Sequence, residues 1–258
     1  MKRIISLLCG LALCVSALSA KDVDDPNHLQ LHAKVNEAFY KAFVYPEIKD
    51  PNSTESKIDK ALDKVLNYPS DDSLRYEGRI VLRFSVYQLG RISHVSVVKG
   101  LCPEIDKAAV KALNSQRSKM RFSRQYRNKV YIQAFYISKD GSNPTVLTAD
   151  EPVYALPDTP AVPAGGEAAL MQFLAEELQY PHDALREQLQ GMVLVQFTLD
   201  KQGDVAFGYI EASDDAGTLD FEAARLVANI PQMTPARHQG EAVRCAWLVP
   251  VVFRLTDK

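Results

Sequence analysis

The stretch from Tyr180 to Leu255 decides the fold. It opens on Tyr180-Pro181 and continues as Gly191-Met-Val-Leu-Val-Gln-Phe-Thr-Leu-Asp-Lys-Gln-Gly203. A helical run follows with Leu219, Asp220, Glu222 and Ala223, then Pro231-Gln-Met-Thr-Pro235 and Val243-Arg-Cys-Ala-Trp-Leu-Val-Pro-Val-Val-Phe253. Asp200-Lys201-Gln202-Gly203 predicts a tight turn, with Asp at its first place and Gly at its last. A weaker copy precedes this stretch. Gly78, Gly90, Met120 and Val130 recur as Gly191, Gly203, Met233 and Val243, each pair separated by 113 positions (191 − 78, 203 − 90, 233 − 120, 243 − 130). A constant offset over matched landmarks predicts one small domain used twice, since the spacing is too long for a solenoid repeat.

Each copy reads helix, strand, turn, strand, helix, strand. In the first, Ser56 caps a helix with Ile58, Leu62, Val65 and Leu66 along one face, ended by Tyr68-Pro69. Ile80, Leu82, Phe84 and Val86 form a half-buried strand, Gly90 closes a turn, and Ile92, Val95 and Val97 return. Cys102-Pro103-Glu104 starts the next helix, and Val130 to Ile137 is the last strand. In the second copy the helices are Glu167 to Leu178 and Asp220 to Ile230. The expected architecture is α+β: two tandem domains, each a three-stranded antiparallel sheet with two helices packed on it. Strands one and two form a hairpin. An all-antiparallel sheet then puts the last strand beside the first, at an edge with one row of backbone groups unpaired. The expected boundaries are a signal peptide at 1–20, an N-terminal helical extension at 21–55, domain 1 at 56–138, a Pro/Gly-rich linker at 139–166 and domain 2 at 167–258. Within the extension, His28 to Val44 carries Leu29, Leu31, Val35, Ala38, Phe39, Ala42 and Phe43 at helical spacing, suited to packing on the first domain. The linker holds Pro144, Pro152, Pro157, Pro160 and Pro163, a density that predicts a semi-extended chain.

The 258 residues, 47% hydrophobic and 24% charged, suit a globular chain. The net charge of −2 conceals an asymmetry. Ile58 to Ser138 carries fifteen Lys and Arg against seven Asp and Glu, a balance of +8, and Glu167 to Lys258 carries seven against fourteen, a balance of −7. Lys2 and Arg3 precede an apolar run from Ile4 to Leu18, with small residues suited to cleavage after Ser19 or Ala20. That run is short for a membrane span, which takes about 20 apolar residues. The expectation is therefore export by a cleaved signal, with an uncleaved inner-membrane anchor as the alternative. No other stretch is long and apolar enough to span. Of the four cysteines, Cys102 and Cys245 lie beyond the signal, and their settings favour isolated thiols over a disulfide.

Signals for catalysis are sparse, and the chain reads as a non-enzyme without cofactor or metal. His28 and His32 stand four apart, but no third ligand accompanies them, and they read as a solvated helix face. His182 reads as a surface residue in a turn. Asp200, Asp204 and Asp214-Asp215 read as turn chemistry rather than paired acid and base. The run Arg117, Lys119, Arg121, Arg124, Arg127 and Lys129 is a basic patch, read as a solvated face or as a contact for anionic glycan, peptidoglycan peptides or acidic receptor tails. Nucleic acid is not an expected partner for an exported chain. Trp247, the only Trp, alternates with Cys245 and Val249 and reads as core.

In order and spacing, Gly165-Gly166, Tyr180-Pro181, Gly191, Gly203, Leu219-Asp220, Glu222-Ala223, Pro231, Pro235, Gly240, Val243, Val249-Pro250 and Phe253 resemble the C-terminal domain of the TonB family, the energy transducers of Gram-negative outer-membrane transport. Met233 stands where the family usually has Trp. The resemblance implies a periplasmic domain that takes an extended segment, the TonB box, from the N-terminus of a TonB-dependent outer-membrane transporter. The physical reading agrees, because an exposed edge strand is a template for strand addition. The strand expected to accept it contains Val243, Arg244, Cys245, Trp247, Val249, Val251 and Phe253, and Pro250 interrupts its donors. A transducing member also carries an uncleaved anchor and a long Pro-rich spacer. Here only residues 21–55 separate signal and first copy, so a periplasmic binding protein without energy transduction is the expectation. The alternatives are another envelope protein as partner, or an envelope scaffold that binds peptidoglycan or pairs with a second copy through its sheet edges.

Overall fold

A computed structural model describes residues 26–44, 46, 77–138, 151–211 and 218–255. The helix expected over 58–66, the apolar N-terminal run and Asp214-Asp215 lie outside the described residues. No helix among the described residues is long and apolar enough to cross a membrane. The chain is α+β and divides into two compact units, one within Asn27–Arg127 and Gln133–Ala149, the other within Asn128–Ile132 and Asp150–Lys258.

The first unit contains α1 (Pro26–Ala42), β1 (Gly78–Val86), β2 (Ile92–Lys99), α2 (Pro103–Ser115) and the Gln133–Ile137 part of β3 (Lys129–Ile137), with β1 and β2 paired antiparallel. Leu31, Val35 and Phe39, each four residues on from the last, are fully buried and form the inner face of α1. Phe39 stacks on Phe135 with ring centroids 3.9 Å apart. The Tyr40 hydroxyl accepts from Tyr136 N at 2.9 Å, and burial pushes its pKa up to about 12 despite that bond. His32 departs from expectation. It is 1% exposed, with Nδ1 2.9 Å from Gln133 Oε1, while Gln133 Nε2 donates to the His32 carbonyl at 3.0 Å. Position i+1 of the Leu31 stripe lies close enough to the apolar face to be covered by β3. Cys102 caps α2 in extended backbone, Pro103 opens the first turn, and Glu104 and Asp106 place carboxylates at its positive end.

The second unit contains β4 (Val153–Tyr154), α3 (Gly166–Glu177), α4 (His182–Glu187), β5 (Gly191–Leu199), β6 (Val205–Glu211), α5 (Thr218–Ala228), the small hairpin β7 (Arg237–His238) and β8 (Glu241–Ala242), and β9 (Arg244–Phe253). Its strands run β6-β5-β9-β4. β9 lies antiparallel to β5 without a bulge, from Gly191↔Phe253 to Leu199↔Cys245. The last strand is thus beside the first, as antiparallel pairing required. Two expectations are corrected. The sheet is not all-antiparallel and three-stranded, because β4 pairs in parallel with β9 through Val153↔Arg244 and Tyr154↔Cys245. The outer row of β9 is therefore not wholly unpaired. A parallel partner needs no tight turn, only a long connection, and residues 155–243 supply one. The helix α4 is also additional: His182 is exposed as expected, but it opens a helical turn.

The same tight turn recurs in each unit. Asp200 Oδ1 accepts from Gln202 N and Asp204 N, both at 2.9 Å, and Gly203 adopts φ +89. Gly203 O then accepts from Met233 N at 3.0 Å, and a Cβ on Gly203 would lie 1.9 Å from Met233 O. In the first unit Gly90, at φ +68, accepts from Phe122 N at 2.8 Å, and a Cβ there would lie 2.2 Å from Phe122 O. Only glycine lets the backbone come this close. Met233 is therefore matched structurally by Phe122 rather than by Met120, so the 113-residue offset slips by two before the last strand.

Candidate strand-accepting edge

β9 owes its position to what packs beneath it. Cys245, Val249, Val251 and Phe253 are buried, and they alternate with Ala246, Leu248, Pro250 and Val252 on the other face. Opposite them on β5 stand Leu199, Val195, Val193 and Gly191. Trp247 faces Phe197, with ring centroids 6.4 Å apart, and is half-buried. Most of the expected contact residues therefore point their side chains into the core. At the edge they offer backbone. Of the even-numbered side chains, Arg244 and Leu248 are buried, while Ala246, Pro250 and Val252, which the sequence reading did not separate from their neighbours, are half-buried. Met192 and Leu194, exposed on β5, face Val252 and Pro250 across the ladder and extend this apolar strip.

The end of the sheet is braced by buried charge. Arg225 Nε and Nη2 donate to the Glu222 carboxylate, both at 2.8 Å, and Nη2 also donates to the Glu177 carbonyl at the end of α3 at 2.6 Å. Glu222 Oε1 accepts from Gln179 N at 2.7 Å. This network satisfies orphan groups at a helix terminus and holds Tyr180, whose hydroxyl donates to the Leu189 carbonyl and whose ring meets Phe253 edge-on at 5.6 Å. The Tyr180-Pro181 and Glu222 signals thus join α3, α5 and the end of β9.

At the other end, Val243 lies before β9, with its N–H donating to the Ala236 carbonyl at 2.9 Å. Arg244 is 2% exposed, and its Nη2 lies 2.5 Å from Glu151 Oε2. Burial lowers its pKa, opposed by the carboxylates of Glu151 and Asp200. Glu151 also pairs with Lys201 of the β5–β6 turn. Downstream, Tyr154 lies over His238 with centroids 4.5 Å apart, Asp158 Oδ2 accepts from Gln239 N at 2.7 Å, and Thr159 and Val162 bridge to Arg237 and Thr234. Residues 151–162 form a strap along the second unit. The linker reading missed it because two ladder positions carry no periodicity.

The basic run from Arg117 to Arg127 belongs to the first unit. Arg117, Lys119, Arg121 and Arg124 are exposed, Arg127 and Lys129 half-buried, and Arg117 Nε donates to the Ile92 carbonyl at 3.0 Å. Cys102 and Cys245 are each buried free thiols. Among the described residues no cluster of three His, Cys, Asp or Glu side chains is placed to hold a metal.

The second unit thus holds β9 between β5 on one side and the two-residue β4 on the other. Residues 176–255 match the family model of the Gram-negative bacterial TonB protein C-terminal domain, so this stretch is a TonB C-terminal-like domain. The match begins at the end of α3, takes in α4, β5, β6, α5 and β9, and does not extend into the first unit. No curated protein and no solved structure matches the chain.

Proposed function

We propose that the chain is a periplasmic, non-enzymatic TonB-like protein that captures an extended peptide by adding it as a strand along β9. The peptide is the TonB box of an outer-membrane TonB-dependent transporter, which links the protein to transmembrane transport. One observation carries this reading. Among the described residues, β9 is paired by β5 along nine of its positions on one side, and on the other by β4 at only Arg244 and Cys245. From Ala246 to Phe253 the outer row is available, with Pro250 the one residue lacking a donor. Main-chain bonds there supply affinity, and the apolar strip of Met192, Leu194 and Val252 supplies side-chain preference. The shared glycine turn and the 113-residue offset support a duplicated TonB-C-like unit within domain 1 (56–138), with the linker at 139–166 and domain 2 at 167–258. The basic patch of Arg117, Lys119, Arg121, Arg124, Arg127 and Lys129 is proposed as a secondary contact for anionic envelope components.

The same open edge and exposed strip favour a second reading, an envelope scaffold whose edges pair copy to copy. An amide NMR titration of the full chain with TonB-box peptides from the host's own transporters separates the two. Saturable shifts along Ala246 to Phe253 support capture. A flat titration combined with concentration-dependent dimerisation, lost on Val251→Pro, supports the scaffold and overturns capture.

A further inference from the structure

β9 already has a resident occupant over part of its outer side, and the character of that occupant is informative. Glu151-Pro-Val-Tyr154 runs parallel to β9 and contributes two ladder positions. A two-position parallel ladder is a weak attachment by itself. The carboxylate of Glu151 does more. Arg244 is buried, and a buried guanidinium is strongly unfavourable without carboxylate partners. Glu151 supplies that carboxylate and reaches Lys201 as well. Tyr154 adds a ring contact to His238. The downstream anchors meet these contacts only at His238, whose Nδ1 lies 3.1 Å from Asp158 Oδ1; the Gln239, Thr159 and Val162 anchors are separate, and Leu156 between the two sets is 70% exposed. The Glu151 ion pairs and the two ladder positions are therefore bonds that this end can lose by itself.

We infer that Glu151–Tyr154 is an internal stand-in for the partner, and that the segment which displaces it carries the same chemistry. That segment runs parallel to β9, places a carboxylate against Arg244 and Lys201, follows it two residues later with an aliphatic side chain, and continues past Cys245 along Ala246 to Phe253. The inference rests on the strand-capture reading and specifies its ligand. Parallel direction follows from the Val153↔Arg244 and Tyr154↔Cys245 register. The acid follows from the burial of Arg244. Greater length follows from the eight residues of β9 that β4 leaves uncovered, since a longer strand gains ladder bonds the stand-in never makes. Tethering gives the stand-in an effective concentration in the millimolar range, so it excludes weak or unsuited segments.

The test uses the full chain and a synthetic peptide copying residues 150–156, Asp-Glu-Pro-Val-Tyr-Ala-Leu, added in trans. In the Glu151→Gln chain the resident strand is loosened and, of the two carboxylates that act on Arg244, only Asp200 remains. The peptide then binds at least tenfold more tightly than it binds the unmodified chain, and its own Glu→Gln analogue loses that gain. Val153→Pro, which keeps the carboxylate but removes a ladder donor, gives a smaller gain in the same direction and guards against a folding defect in the first variant. Equal peptide affinity for all three chains, with amide spectra showing each folded, overturns the inference. TonB-box peptides measured alongside separate the two claims. If they bind the unmodified and Glu151→Gln chains equally well, strand capture stands and the stand-in is refuted. If they bind neither chain while the copy peptide binds the variant, the transporter reading fails.

Discussion

Replacing Gly203 with alanine tests the contact on which the second unit's hairpin is built. Gly203 sits at φ +89, and the new methyl would lie 1.9 Å from the Met233 carbonyl oxygen, where 3.0 Å is the least that real contacts show. The two backbones must part by 1.1 Å (3.0 − 1.9). Three costs follow. Left-handed backbone disfavours a residue with a Cβ by about 1–2 kcal/mol. The Met233 N–H to Gly203 O bond, 3.0 Å long, is lost or stretched, for about 1 kcal/mol. Met233, 2% exposed, is drawn partly out of the core, for roughly 1 kcal/mol more. The sum is about 3–4 kcal/mol. Gly240 is the control, because it has φ +83 and nothing within 4 Å of a Cβ, so only the first cost applies. Trp247, the sole Trp, lies in β9 and reports on this unit by fluorescence. With a urea slope of about 1–2 kcal/mol per molar, the excess of about 2 kcal/mol separates the two midpoints by roughly 1–2 M. If Gly203→Ala and Gly240→Ala unfold together, the close approach of the turn to Met233 does not exist in solution.

Glu222→Ala leaves Arg225 buried without its bidentate partner and is expected to destabilise the second unit by about 3–5 kcal/mol, whereas the Glu222→Met/Arg225→Met double variant, read by the same Trp247 transition, recovers most of the loss. Tyr40 holds its proton to about pH 12 in the fold, above the ordinary 10.0 of an unfolded tyrosine. Its contribution to stability is thus complete below pH 10 and disappears as pH rises toward 12, so Tyr40→Phe is expected to flatten the alkaline loss of stability between those values in a pH series of thermal melts. Burial, with Glu104 and Asp106 adding to it against one backbone bond, pushes the Cys102 thiol up to about 11. Iodoacetamide at pH 8 is accordingly expected to leave Cys102 unmodified in the folded chain and to label it rapidly in urea, and native labelling at the rate of a free thiol would contradict this.

Local pattern carried most of the elements. Proline in the first turn, in Cys102-Pro103-Glu104, marked α2, and the Gly203 turn placed β5 and β6 on either side of it, because such signals act over a few residues. The place of β9 beside β5 was also legible, since an antiparallel sheet with a hairpin and one crossover leaves the last strand a single place, but β4 rather than β9 is the outermost strand. His32 was misread for a related reason. Its neighbours make the face of α1, but whether position 32 falls inside or outside that face depends on how broadly β3 covers the helix.

The site was legible only in part. Naming Val243 to Phe253 identified the strand, yet which side chains face a partner is a question of register, and a one-residue shift exchanges the two faces. Pairing with β5 decided that, burying Val249, Val251 and Phe253 and leaving Pro250 and Val252 outward. The strap was beyond local reading altogether. Glu151 and Arg244 are 93 positions apart (244 − 151), and no short-range rule connects a linker carboxylate to a strand arginine. The sequence by itself determined most of the elements, their order, the TonB-like character of the stretch from Tyr180 to Leu255, and the placing of β9 beside β5 with its other edge turned outward. Only the tertiary structure decided what already covers that edge, because burial of a charge and parallel pairing across a long connection are properties of chain segments brought together in space.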